Sequence, residues 1–74
     1  MSSYNFAVVI EEDEDGFFAD CPALQGCHTQ GETLVEAIAN IKDAIQLHIE
    51  DRLAMGEGVP QLASLTVTTL QVSA

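Results

Sequence analysis

Cys21, Cys27 and His28 lie within eight residues, and thiolate with imidazole is a donor set that suits zinc. A closed structural zinc site takes four protein ligands. Here the CxxC spacing is absent, and the other histidine, His48, falls on a distant helical segment. The same side chains raise the chemistry of a thiol nucleophile with its base. Adjacent strand residues point to opposite faces, so Cys27 and His28 do not form that pair, which leaves Cys21 with His28 across a meander. The simpler reading is two small core thiols beside a strand histidine. No metal ligand, catalytic residue or cofactor is assigned to them. With no export signal at the N-terminus, the expectation is a reducing, cytoplasmic setting and two free thiols.

The second cluster is Glu11, Glu12, Asp13, Glu14 and Asp15, five consecutive carboxylates. Oxygen ligands of this kind could hold a divalent cation, but the spacing does not fit an EF-hand loop. Contact with a basic partner is the better use. The whole chain has the same character, with twelve acidic residues against two basic ones and a formal net charge of −10. Such a surface repels phosphate backbones and speeds encounter with a positively charged protein. Direct nucleic-acid binding is therefore not expected. No phosphate-cradling loop, HExxH or GxSxG pattern is present, so the residues favour a binding module over an enzyme.

These groups must be positioned by a small fold. Seventy-four residues make one domain with a thin core, and 47% hydrophobic but only 5% aromatic content makes that core aliphatic. A chain this short commonly gains stability from self-association. No run of 18 apolar residues exists to span a membrane. Tyr4, Phe6, Val8 and Ile10 alternate with other residues over 4–12, the period of a half-buried strand. Asp15-Gly16 marks a hairpin, a second strand follows over 17–21, and Pro22 ends it. A short third strand over 27–30 completes an antiparallel meander.

Thr33-Leu34-Val35-Glu36 fits a capping box at the start of a long helix. Its apolar stripe runs through Leu34, Ile38, Ile41, Ile45, His48 and Arg52, widened by Ala37, Ala44, Ile49 and Leu53. Val35 and Leu47 lie off the stripe and hint at a surface used between subunits. Neither Lys42 nor Arg52 has an acid four residues away to support the helix. Gly56, Gly58 and Pro60 end the helix, and the β-branched residues of 65–72 read as a fourth strand with a bulge near Thr68 or Thr69. The expected fold is α+β, of order β-β-β-α-β, as one domain over 1–74 with the helix packed on one sheet face. A homodimer or homotetramer would use the other face.

Residues 6–16, running from Phe6-Ala7-Val8 to Asp15-Gly16, then Ala19-Asp20-Cys21-Pro22-Ala23-Leu24-Gln25-Gly26-Cys27-His28-Thr29-Gln30-Gly31-Glu32-Thr33-Leu34-Val35-Glu36-Ala37, and Asn40-Ile41-Lys42-Asp43-Ala44-Ile45 resemble the HicB-like antitoxins. The resemblance runs over residues 6–45, a little more than half of the chain. It implies a partial RNase-H-like domain of three antiparallel strands, a helix and a further strand, without the nuclease's catalytic carboxylates. It also implies a function: binding a small basic HicA-type toxin and blocking its cleavage of mRNA. Many relatives add a C-terminal DNA-binding domain, which this sequence is not expected to carry, and repression of its own promoter is not implied. The alternative is a self-associating structural or regulatory oligomer with no surviving toxin. For the first of these, Glu11, Glu12, Asp13, Glu14 and Asp15 are the candidate partner-binding residues.

Overall fold

The computed structural model describes residues 4–60, 66 and 68–73. Three strands, β1 (Val9–Asp13), β2 (Gly16–Asp20) and β3 (His28–Gly31), precede one helix, α1 (Leu34–Ala54). The sheet is an antiparallel meander in the order β1-β2-β3, which leaves β1 and β3 at its edges. The α+β class and the meander-then-helix order match the sequence reading. The fourth strand expected over 65–72 is not formed among the described residues: Thr66 and residues 68–72 lie outside any strand, and Leu65 and Val67 fall outside the described set.

The β1–β2 turn is set by acids and one glycine. Asp13 pairs with Gly16 across a two-residue loop, and the Asp15 N–H donates to Asp13 Oδ1 at 2.7 Å, an Asx contact that mimics a backbone turn. Gly16 alone takes positive φ there, at 135°. After β2, the Cys21 N–H bonds the Cys27 carbonyl at 2.9 Å. Inside that closure sit two consecutive turns. One has Pro22 at its second position and is closed by Leu24 N–H to the Cys21 carbonyl. The other has Gly26 at its third, at φ 79°, and is closed by Cys27 N–H to the Leu24 carbonyl. The loop folds inward, so Cys21, Leu24 and Cys27 are fully buried and make the centre of the core with Ala19 and Ile41.

The helix ends obey their sequence signals. Thr33, extended at φ −128° and ψ 162°, accepts from the Glu36 N–H at 3.1 Å through Oγ1. The reciprocal half of the capping box is displaced by one residue: Glu36 Oε1 accepts from the Glu32 N–H at 3.3 Å, not from Thr33. At the far end the Glu57 N–H reaches the Arg52 carbonyl and the Gly56 N–H the Leu53 carbonyl, with Gly56 at φ 76°. That is the Schellman arrangement. Arg52 also gains an acid that helical spacing does not supply, Glu57 Oε2 at 3.7 Å. Replacing Thr33 by Ala should cost about 1 kcal/mol, read as a lowered urea midpoint, while Ser there should retain most of it.

The buried line of α1 is centred on Ala37 and Ile41 and continues through Ala44, Ile45, His48 and Ile49. Leu34 and Ile38, expected on that line, are 46% and 47% exposed. The rotation follows from Gly31, which lets β3 approach the helix backbone at Ala37. Asn40 Nδ2 then bonds the Gln30 carbonyl at 2.8 Å and ties the helix to β3.

Candidate functional site

Cross-strand register divides the sheet into two faces. Ile10, Ala19 and Thr29 form one row, and that face packs under α1. The opposite face carries the rows Glu11, Phe18, Gln30 and Val9, Asp20, His28, which together line a shallow open depression. Phe18 is 37% exposed at its centre. The strand period explains the position, because Phe17 and Phe18 must point to opposite faces.

Part of the acid run continues this face to the hairpin tip: Glu11 and Asp13 share it, while Glu12 falls opposite Phe17 on the other face. Glu11, Glu12, Asp13, Glu14 and Asp15 are all exposed, the first three on β1 and the last two in the turn. Glu11 belongs to both the tip and the open face, so the carboxylates run from Glu14 and Asp15 back past Phe18 to Asp20. Both fixed cations lie on α1, with Arg52 beside Glu57. No lysine or arginine lies on the meander to offset its negative charge. The five acids are visible in the sequence as a run, while Phe18 and Asp20 are not singled out by it. The signal for Phe18 is the Phe17-Phe18 doublet, which places one aromatic on each face of any strand that contains it.

The cysteines are separated from this surface. Asp20 opposite His28 is the last pair of the β2–β3 ladder, beyond which the chain turns Cys21 and Cys27 into the core while His28 remains exposed. The Cys21–His28 pairing is therefore not formed. Among the described residues, no group of three or more His, Cys, Asp or Glu side chains is arranged to hold a metal ion. Burial, the largest cause, pushes both thiols above their ordinary pKa, and the nearby Asp20 charge adds to it.

A raised thiol pKa means the folded state holds its proton more tightly than the unfolded chain does. The resulting stability is complete at neutral pH and is lost as pH rises past the ordinary thiol value of about 8.5. The denaturation midpoint should fall between about pH 8 and about pH 10, and the fall should shrink in a Cys21→Ala, Cys27→Ala variant. Native protein at neutral pH should also resist iodoacetamide until denaturant is added, because a buried neutral thiol is a poor nucleophile.

A three-stranded meander backed by one helix, with an acidic rim around an exposed aromatic, defines a small acidic α+β module. The chain belongs to the HicB-like antitoxins: residues 6–73 match the family described as HicB_like antitoxin of bacterial toxin-antitoxin system. It is 49% identical over 59 residues to a UPF0150 protein of Synechocystis sp., covering 78% of this chain and 75% of that one. A UPF0150 protein of Thermoplasma acidophilum is 46% identical over 57 residues, covering 76% and 83%. An uncharacterized 14.9 kDa protein of Haemophilus phage HP1 is 39% identical over 56 residues, covering 76% of this chain and 42% of its own. Among the described residues, no helix is long and apolar enough to cross a membrane.

Proposed function

We propose that this chain is a non-catalytic antitoxin that neutralises a small, basic, HicA-type mRNA-cleaving toxin by covering the surface with which the toxin holds RNA. The observation that carries the reading is the continuous acid surface, from the exposed Glu11, Glu12, Asp13, Glu14 and Asp15 to Asp20 on the open face. A protein that grips RNA must present lysine and arginine to phosphate. An acidic rim meets those side chains with complementary charge, which raises the association rate and competes with RNA for the same groups. Phe18 supplies what charge alone lacks, an aromatic anchor at the centre of the rim. The chain acts as one domain, makes no direct nucleic-acid contact, and works in the cytoplasm as a homodimer or homotetramer.

A tagged pull-down from the native cells at low and moderate salt tests the partner. The reading expects a small basic protein near one-to-one stoichiometry, released as salt rises. Recovery of the chain alone, from cells in which neighbouring genes are expressed, would instead favour a self-associating protein without a toxin.

A further inference from the structure

The face of β1 that meets α1 is only partly covered. Phe6, Val8 and Ile10 form one wall of an open apolar trough, and Ile38, Ile41 and Ile45 form the other. Lys42 is the one charged residue on its lining. The trough follows the free edge of the sheet, since β1 pairs with β2 on one side alone. The chain before β1 is barer still. Among the described residues, the backbone of residues 4–8 makes no hydrogen bond, because β2 stops alongside Val9 where Pro22 turns the chain away. An extended segment with one apolar side and unpaired N–H and C=O groups is a template for an added strand.

The same chain carries a segment with the matching pattern. In the described tail, Thr66, Thr68, Leu70 and Val72 alternate with Thr69, Gln71 and Ser73, the period of a strand with one apolar face. Leu70 is 78% exposed and Val72 83% exposed, so neither fills its own trough. Charge favours the tail as the contact between copies. Two bodies of net charge −10 repel each other, but no charged side chain occurs from Gly58 onward.

We propose that residues 68–73 of one copy add as a strand to the β1 edge of a second copy, seating Leu70 and Val72 in its apolar trough. The second tail returns the exchange. The product is a two-fold homodimer, and the trading of identical elements is a low-cost route to one. Each copy gains the strand its sheet edge lacks, covering the half-exposed Ile38. The open face with Phe18 and the acid tip lies on the other side of the sheet and stays free, so the exchange does not depend on the toxin reading.

Thiol cross-linking tests the exchange in the full chain. A tagged chain carrying Val8→Cys is co-expressed with an untagged chain carrying Leu70→Cys, and a short bis-maleimide is added to the native mixture. The buried Cys21 and Cys27 serve as the unreactive background. The expected result is a covalent product containing one chain of each kind, with light scattering giving the mass of a dimer. A chain carrying both substitutions that cross-links only within itself at monomer mass would overturn the proposal, assigning each trough to its own tail. A dimer that forms without cross-linking would also overturn it and assign the contact to another face. Leu70→Asp with Val72→Asp should weaken the dimer about a hundredfold or more, because two apolar side chains leave the trough, while the helical circular dichroism is retained.

Discussion

Gly31→Ala should be the most damaging single substitution outside the core. A Cβ at Gly31 would stand 2.6 Å from the Ala37 nitrogen and 3.0 Å from both the Ala37 Cα and the Glu36 carbonyl carbon. These are backbone atoms in the first turns of α1, so no side-chain rotation relieves the clash. Either β3 or the helix must move. Movement of β3 strains the β2–β3 ladder, where Gly31 pairs with Phe17, and it pulls the Gln30 carbonyl from Asn40. It also disturbs the end of the β1–β2 turn, because the Gly31 carbonyl lies where a Cβ on Gly16 would come to 2.8 Å. Overpacking of this kind costs about 1–3 kcal/mol or more. A domain of this length has roughly 4–11 kcal/mol in total. The expected result is a large fall in the urea midpoint and weakened helical signal. Gly58→Ala is the control, since a Cβ there meets nothing within 4 Å. Equal midpoints for the two variants would show that the close approach of β3 to α1 is not what holds the layers.

The largest functional effect should come from reversing the hairpin tip. Replacing Glu12, Glu14 and Asp15 by Lys moves the formal net charge from −10 to −4, since each exchange adds two positive charges, and removes most of the charge from one end of the sheet. Asp13 is left in place because its Oδ1 holds the turn through the Asp15 N–H, a backbone donor that the Asp15→Lys exchange retains. Association with a basic toxin should slow by about tenfold or more at low salt, and its salt dependence should flatten, while dissociation changes less. Stopped-flow measurement at several ionic strengths reads both quantities. An unchanged on-rate would clear the tip of a steering role and move attention to Glu11, Asp20 and Phe18 on the open face.

The local signals carried much of this fold. Pro22, Thr33 and Gly56 each enforce a backbone event by their own chemistry, a turn or a cap, and each does so in the structure. Positions that depend on a neighbour were less legible. Residues 4–8 alternate like a strand, yet β1 begins only at Val9, because periodicity reports a buried face and not the presence of a ladder partner. Hydropathy puts Leu34 and Ile38 near the middle of the helix stripe because it cannot see Gly31 drawing Ala37 inward. The same limit applies to the site. Five acids are visible as a run, whereas the grouping of Phe18, Asp20, His28 and Glu11 on one face needs the register of three strands. Cys21 and His28, close in sequence and both in the meander region, are divided by the point at which the ladder ends.

The fourth strand is the informative difference. Its β-branched pattern is present in the sequence, the described part of that segment stands exposed, and a trough of complementary character lies open along the β1 edge. A strand propensity is realised only when an edge accepts it. In the proposed dimer that edge belongs to a second copy.

The proposed function is the silencing of a basic RNA-cleaving toxin by the acidic meander. Its most direct test is titration of the purified chain into an RNA-cleavage reaction run by the small basic protein that co-purifies with it. Cleavage should stop at a fixed stoichiometric ratio and return as salt is raised. Cleavage that continues with the chain in large excess at low salt would contradict the account.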